Sequence, residues 1–179
     1  MEHLDFRIED AEPQDVEALR TIVKDSWMRV YPNEEQNITV DDISSIDWYN
    51  EEGLEKRRKE IALHADGVHT WVLKNSEDTV MGFCKVTKTD DKREIEAIYV
   101  VKELEGKGMG KKLLQKALDW LGTERDIQLK VVAYNSHAIG FYKKFGFQET
   151  ESSVSYEGTK LAHGKEIPRI EMVKPGNHS

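Results

Sequence analysis

Apolar positions repeat along the chain with two different periods, and the change of period marks the predicted elements. A period of two is typical of strands, and a period of about 3.6 is typical of helices. Alternation predicts strands over residues 4–9, 69–74, 79–88, 93–101 and 127–134. Helical spacing predicts helices over residues 12–30, 51–65, 110–121 and 136–145. A final hairpin is predicted over residues 151–158 and 166–174.

The order of these elements predicts one mixed α/β sheet. Residues 69–101 read as three strands joined by short polar turns, which is typical of an antiparallel meander. From there strand and helix alternate, as in α/β layers. We therefore expect a mixed sheet of about seven strands flanked by helices. We expect a single domain over residues 1–174, followed by a frayed tail at 175–179.

Composition limits the classes of function. With 179 residues, 38% of them hydrophobic, the chain is long enough for one domain with a sizeable core. The sequence contains no apolar run of about 18 residues, and it does not begin with the basic start and apolar stretch of a signal peptide. We therefore expect a cytoplasmic protein with no membrane partner. The net charge of −8 argues against nucleic-acid binding. The single cysteine, Cys84, excludes an internal disulfide, and the six histidines lack metal-ligand spacing, so no metal is expected.

The negative charge is concentrated in residues 31–55. This segment, YPNEEQNITVDDISSIDWYNEEGLE, contains eight acidic residues and no basic one. Beside a cleft it would attract a cationic substrate, whereas a surface loop of the same composition would serve solubility alone. The sequence leaves both interpretations open.

Three glycines alternate with other residues at the start of a predicted helix, in EGKGMGKK (residues 105–112, the glycine corner). The segment is not a P-loop, because Glu105 and Lys112 stand where that motif needs a glycine and a hydroxyl residue, and it lacks the third glycine of the dinucleotide fingerprint. Glycines leave successive backbone N–H groups unobstructed at a helix N-terminus, where a pyrophosphate binds well, and lysines add countercharge. The alternative is a helix with a glycine-rich entry loop and no ligand.

A second segment, NSHAIGFYKKFGF (residues 135–147), begins with two typical helix-capping residues. Together with the glycine corner it resembles the Gcn5-related N-acetyltransferase (GNAT) family. The acetyl-CoA corner of that family reads Gln or Arg, two residues, Gly, any residue, then Gly or Ala, and its later helix reads Asn, two residues, Ala, two residues, Phe-Tyr, then Gly-Phe. The later pattern is matched at Asn135, Ala138, Phe141, Tyr142, Gly146 and Phe147. The resemblance covers residues 4–174 and implies the GNAT-like acyl-CoA N-acyltransferase fold.

The resemblance also implies acetyl-CoA as cosubstrate. Backbone groups of Ile98, Tyr99 and Val100 would bind the pantetheine arm, and the N–H near Ile98 would act as an oxyanion donor. Asn135 would bond the pantetheine, and the Tyr142 hydroxyl would point at the thioester sulfur. The residues that would surround the pyrophosphate are Glu105, Gly106, Lys107, Gly108, Met109, Gly110 and Lys111. Glu105 departs from the family pattern, because a carboxylate beside a phosphate is unfavourable. We expect either that its carboxylate turns to solvent while its backbone N–H still serves, or that the affinity for acetyl-CoA is weakened.

The chemistry requires a base. An amine with a pKa of about 10.4 is protonated at neutral pH, and only its neutral form attacks a thioester. Strand alternation predicts that Glu94, Glu96, Ile98 and Val100 share one face. In the family the base falls at Glu94 in protein-lysine members and at Glu96 in polyamine members. We favour Glu96 because it is nearer the reacting carbon, and two exposed strand glutamates are the alternative.

The resemblance further implies the remaining roles. Tyr142 would protonate the leaving thiolate, and a ternary complex needs no acyl-enzyme. The segment with Trp27, Tyr31 and Trp48 borders the acceptor cleft in this family, and Tyr156 is a further rim candidate. An aromatic wall with acidic residues would suit a small cationic amine or polyamine. Alternatives are a protein N-terminus or lysine as acceptor, or a non-catalytic acyl-CoA-sensing module. Dimers are frequent in the family, so a homodimer is allowed.

Overall fold

The computed structural model describes residues 5–151, 154–156 and 159–177. Within them the chain divides into two compact units. The first contains the described part of Met1–Ser26 together with Trp48–Gly122, and the second contains Trp27–Asp47 together with the described part of Thr123–Ser179. Each unit is therefore built from two separate stretches of sequence. The single domain predicted over residues 1–174 stays a prediction.

The first unit contains four antiparallel strands. They are β1 (Arg7–Asp10), β2 (Val68–Lys74), β3 (Val80–Lys88) and β4 (Arg93–Val100), in that spatial order. The predicted meander is confirmed, because Trp71 of β2 lies opposite Cys84 of β3, which lies opposite Ile98 of β4. Leu4, where the first strand was predicted to begin, lies outside the described residues.

Helices cover both faces of this sheet. On one face, α1 (Val16–Val30) and α3 (Glu51–Ala62) bury their apolar residues against the strands. This core consists of Ala11, Val16, Leu19, Ile22, Leu54, Ile61, Val72 and Phe83. On the other face, the helix α4 (Met109–Leu121) packs against β3 and β4 with its own buried leucines. Both helical faces agree with the predicted apolar spacing.

Local capping signals set the helix boundaries. A short 3-10 turn, Pro13–Asp15, precedes α1, and Glu12 and Asp15 form a reciprocal capping box there. The side chain of Asn50 accepts the Gly53 N–H at 2.9 Å and begins α3. A short helix, α2 (Val40–Ser44), was not predicted, because five residues are too few to show a helical period.

The second unit contains the short helix α2 and the remaining three strands. After α2, its elements in chain order are β5 (Ile127–Val132), α5 (Ser136–Lys143), β6 (Gln148–Glu149) and β7 (Arg169–Lys174). β7 lies between β5 and β6 and is antiparallel to both. Leu129 of β5 and Met172 of β7 face each other and are buried. The prediction of a mixed sheet of seven strands with helices is confirmed for the described residues.

The predicted final hairpin is present only in part. Its second arm is β7, but β7 pairs with β5 and β6, and in the described part of the first arm Ser155 forms a single bridge to Arg169. The first arm, ESSVSYEG, is polar and has too few apolar residues to bury one strand face. Residues 152, 153, 157 and 158 lie outside the described residues.

The end of the chain is hydrogen-bonded as far as it is described. The Gly176 N–H donates to the Asp126 carboxylate at 2.8 Å, and the Asn177 N–H donates to the Thr123 carbonyl at 2.7 Å. Residues 175–177 of the predicted frayed tail are thus attached near the start of β5. Residues 178 and 179 lie outside the described residues.

Candidate active site

Strand β4 contains a β-bulge at the predicted base. Lys85 lies opposite Ala97, but the next residue of β3, Val86, lies opposite Ile95. Glu96 is therefore the extra residue of β4 and has no partner in the ladder. The sequence of β4, REIEAIYV, reads as one uninterrupted strand and gives no sign of such an insertion.

The bulge changes which side chains share a face. Beyond it, Ile98 lies opposite Cys84, whereas before it Glu94 lies opposite Thr87. Thr87 and Cys84 point to opposite faces, because they are an odd number of residues apart on a regular strand. The prediction that both glutamates share one face with Ile98 and Val100 is therefore wrong. The glutamates lie on the face covered by α1 and α3.

The Glu96 carboxylate is held by β3. The Lys85 ammonium lies 2.8 Å from its Oε2 atom, and the Thr87 hydroxyl donates to its Oε1 atom. Burial raises the pKa of Glu96, but the bonds from Lys85 and Thr87 together lower it more, so its pKa lies below the usual range. Glu96 is consequently ionised at neutral pH and able to accept a proton.

Glu94 has a separate cationic partner. The Lys92 ammonium lies 2.5 Å from the Glu94 carboxylate, and this bond raises the pKa of Lys92. The Glu94 side chain is 15% exposed. The two candidate bases thus each have their own lysine.

The glycine corner joins β4 to α4. Gly106 and Gly108 have φ values of 73° and 80°, a backbone conformation that side chains disfavour. No heavy atom lies within 4 Å of the position that a Cβ would take at either residue, so glycine is required there by conformation and not by packing. The corner therefore leaves open space beside its backbone.

The start of α4 offers unused backbone donors. Gly108 precedes the helix, and no side chain caps it. The N–H groups of Met109, Gly110 and Lys111 therefore lack the intrahelical acceptors that later residues have. The first turn contains no acidic residue, so the positive end of the helix dipole is not neutralised there. This arrangement can bind an anion.

The structure narrows the set of corner donors. The Glu105 N–H donates to the Lys102 carbonyl at 3.1 Å, and the Lys107 N–H donates to the Leu104 carbonyl at 3.2 Å. The Glu105 N–H was expected to bond a phosphate, but it is already bonded within a short 3-10 turn, Lys102–Leu104. The Glu105 residue is exposed to solvent.

The second unit contains the Asn135 and Tyr142 segment. The Asn135 carboxamide oxygen accepts the Ala138 N–H at 3.1 Å and caps α5. Tyr142, on the last turn of α5, is half-buried and packs edge-on against Phe141 and Phe147, with ring centroids 5.2 and 5.7 Å away. Packing against these rings orients the Tyr142 side chain, and its role as proton donor stays a prediction.

Three of the four expected acceptor-binding aromatics belong to cores. Trp27 and Tyr31 are buried, and their ring centroids lie 4.7 Å apart. Trp48 is 5% exposed. Tyr156 is 52% exposed and is the one of the four that presents its ring to solvent. The acceptor-binding role of these four aromatic residues stays a prediction.

The structure also describes the single cysteine, the residue types that could bind a metal, and the lengths of the helices. Cys84 is fully buried, and burial raises the pKa of its thiol, as expected for a structural cysteine. Among the described residues, no cluster of three or more histidine, cysteine or acidic side chains is arranged to hold a metal. Over the same residues, none of the helices is both long and apolar enough to cross a bilayer.

Comparison with known proteins identifies the family. The model of the acetyltransferase (GNAT) family matches residues 19–147, more than half of the chain. The peptidyl-lysine N-acetyltransferase YjaB of Salmonella typhimurium is 30% identical over 105 residues, which are 59% of this chain and 64% of that protein. The chain therefore spans less than two thirds of the length of this curated relative.

Solved structures share the fold. The PaiA N-acetyltransferase of Thermoplasma acidophilum, solved in complex with coenzyme A, has a TM-score of 0.72 at 21% identity, covering 96% of this chain and 99% of that one. The spermidine N-acetyltransferase of Vibrio cholerae, solved in complex with CoA and spermine, has a TM-score of 0.67 at 18% identity, covering 96% of this chain and 95% of that one. The match to the family model and the shared fold agree with both sequence motifs, and the chain belongs to the acetyltransferase (GNAT) family.

Proposed function

We propose that this protein is an N-acetyltransferase that moves the acetyl group of acetyl-CoA directly to a primary amine. The observation that carries the proposal is the glycine corner, which follows β4 and ends at the uncapped start of α4. Positive φ angles at Gly106 and Gly108, open space where side chains would be, and the adjoining exposed lysines all suit a pyrophosphate. GNAT family members use acetyl-CoA, which contains this group.

The residues present fit acetyl-CoA as cosubstrate. The backbone donors are those of Gly106, Gly108 and the first turn of α4, with Lys107 and Lys111 as countercharge. The edge of β4 at Ile98, Tyr99 and Val100 would bind the pantetheine arm, and Asn135 would contribute a carboxamide. When bound, acetyl-CoA supplies the activated acetyl group.

The proposed reaction is a direct transfer. The neutral amine attacks the thioester carbonyl, a C–N bond forms, and the C–S bond breaks. Glu96 accepts the proton that the amine loses, directly or through water, and Tyr142 donates a proton to the leaving thiolate. With its pKa held low by Lys85 and Thr87, Glu96 is ionised at neutral pH, the state in which a carboxylate can receive a proton. Glu94 is the second candidate for the base.

We propose a small cationic amine or polyamine as the acceptor. Seven of the eight acidic residues in the segment 31–55 are exposed and would attract such a cation, and the eighth, Asp42, is paired with Lys165. Exposed Tyr156 adds an aromatic surface. A peptidyl lysine is the second candidate, favoured by the 30% identity to YjaB.

The test is thiol release from acetyl-CoA by the purified full chain with a panel of amines. The panel contains spermidine, spermine, short diamines, aminoglycosides, amino acids and lysine peptides, and mass spectrometry identifies the acetylated product. Turnover with polyamines or diamines supports the proposal, whereas turnover with lysine peptides alone favours the second acceptor class. Tight acetyl-CoA binding without any turnover would contradict the enzyme and favour a sensing module.

Tyr142→Phe tests the proton donor. We expect kcat to fall by roughly 10²-fold or more, because general acid catalysis contributes about 10²–10⁴-fold. The affinity for acetyl-CoA, measured by calorimetry, should stay nearly unchanged. Tyr134→Phe is the matched control, because its hydroxyl donates to the Tyr31 carbonyl at 2.7 Å and has a structural role. Equal kcat values for the two variants would remove Tyr142 from the mechanism.

A further inference from the structure

A charged cluster connects α3 with the bulge of β4. Its members are Arg57 and Glu60 of α3, Lys85 and Thr87 of β3, and Glu96 of β4, and we refer to them as the α3–β4 charge cluster. All five belong to the first unit and lie on the sheet face that α3 covers. This cluster was not predicted from the sequence, although a lysine and a threonine at the inward positions of β3 were its signal.

Lys85 is the centre of the cluster. Its ammonium lies 2.8 Å from the Glu96 carboxylate and 3.3 Å from the Glu60 carboxylate, and its side chain is only 19% exposed. Glu60 in turn pairs with Arg57, which also donates to the Thr70 hydroxyl at 2.7 Å. The lysine is therefore fixed from α3 on one side while it binds Glu96 on the other.

The bulge gives this contact its importance. A residue in register is flanked by fixed neighbours across the ladder, but Glu96 has no residue opposite it. Its two carboxylate oxygens are instead fixed one by one, Oε1 by Thr87 and Oε2 by Lys85. Side-chain bonds thus determine both the orientation and the charge of Glu96.

We propose that Lys85 is the positioning residue for Glu96, holding its carboxylate ionised and in one orientation to receive the proton of the acceptor amine. The inference rests on the proposed function, because it assigns the base of that reaction. It also selects between the two candidate bases, since Lys85 contacts Glu96 whereas Lys92 contacts Glu94.

The pH dependence follows from the charges around Glu96. The charges on other elements are those of Lys85 from β3, Arg57 and Glu60 from α3, and Arg20 from α1, which acts on Arg57. Glu94 lies on β4 itself, and Lys92 lies in the turn just before it. Burial alone raises the pKa of Glu96, and the cationic partners reverse this effect. Removing Lys85 must therefore raise the pKa of Glu96, and the acidic limb of the rate profile must move to higher pH.

The first experiment compares pH profiles of kcat/KM for wild type, Lys85→Met, Lys85→Arg and Lys92→Met with the best amine of the panel. We expect Lys85→Met to shift the acidic limb upward by about one pH unit or more, since a nearby opposite charge moves a carboxyl pKa by about 1–3 units. Lys85→Arg should restore most of the profile, and Lys92→Met should leave the acidic limb in place. Lys85→Gln, neutral but able to donate a hydrogen bond, replaces Lys85→Met if the latter does not fold.

The second experiment needs no turnover. Carbon-13 NMR follows the titration of the Glu96 carboxyl in wild type and Lys85→Met, and Glu96→Gln assigns the signal by its loss. If wild type acetylates none of the amines, the proposed function fails, and the same titration still decides whether Lys85 controls Glu96. An unchanged Glu96 midpoint in Lys85→Met overturns the inference. So does an acidic limb that moves in Lys92→Met and stays fixed in Lys85→Met, because the base would then be Glu94.

Discussion

The buried ion pairs of Lys74 provide a quantitative test of how charged residues stabilise the first unit. Lys74, the last residue of β2, is 4% exposed, and its ammonium lies 3.0 Å from Glu9 of β1 and 3.2 Å from Asp15. Asp15 is also buried, and its other carboxylate oxygen accepts the Glu12 N–H at 2.8 Å. Lys74→Met keeps an unbranched side chain of similar length and removes the charge.

The expected loss follows from the charge that remains. Removing one partner of a buried ion pair costs roughly 3–5 kcal/mol, because the other charge is left uncompensated. Glu9 is partly exposed and can be rehydrated, so the cost falls mainly on Asp15, and we expect about 3 kcal/mol. A protein of this size loses roughly 2–4 °C in Tm per kcal/mol, which predicts a fall of about 6–12 °C.

Thermal and urea unfolding measure this loss against a matched control. Lys59→Met makes the same substitution on α3, where Lys59 is 69% exposed and 3.7 Å from Glu55, so the cost should stay below about 0.5 kcal/mol. The double variant Lys74→Met with Asp15→Asn removes both buried charges and should recover part of the stability. Equal midpoints for the two lysine variants, or no recovery in the double variant, would refute the reasoning.

Three further predictions concern the corner, one ion pair and the chain end. Gly108→Ala should lower the free energy of unfolding by about 1–2 kcal/mol, because Gly108 has a left-handed backbone with φ 80°. It should also weaken acetyl-CoA binding severalfold in calorimetry, and an unchanged affinity would count against the corner as the binding site. Bonds from Lys165 and then Thr39 hold the pKa of Asp42 at about 2, so its stabilisation is present above about pH 4 and is lost as pH falls through that pKa. In urea titrations the stability gap between wild type and Asp42→Asn should therefore close between about pH 4 and pH 2, and a constant gap would contradict this. A Cβ on Gly176 would lie 2.5 Å from the backbone of residue 125, so Gly176→Ala should release the chain end. Amide hydrogen exchange at residue 177 should then become faster, and unchanged exchange would show that the backbone shifts to make room for the Cβ.

Most of the fold follows from periodicity, because long amphipathic segments have few alternatives. The apolar spacing of α4 and the alternation of β2, β3 and β4 determine the layers of the first unit. The final hairpin was predicted with two arms but is present only in part among the described residues, because its first arm is polar and β7 pairs with β5 and β6 instead. Such non-local pairing is not encoded in a short window of sequence.

The candidate site likewise contains features that could be predicted from the sequence and features that could not. The positive-φ backbone of the glycine corner could be predicted, because the spacing of its glycines indicates such a conformation. The bulge at Glu96 could not be predicted, because REIEAIYV reads as one uninterrupted strand and the extra residue is recognised only from its pairing with β3. The role of Lys85 depends on the bulge and on α3, and so appears only in three dimensions.

The interleaving of the two units along the chain has a consequence for synthesis on the ribosome. The first unit has all its residues once Gly122 has been translated, whereas the second then has only Trp27–Asp47. The residues that later contact this stretch, Tyr134 on the Tyr31 carbonyl and Arg169 over the Trp27 ring, do not yet exist. At about 5–20 residues per second, the nascent chain carries the Tyr31 carbonyl and the Trp27 ring without those partners for several seconds. During that interval this stretch is a natural target for chaperones and a point at which translation speed can affect the yield of folded protein.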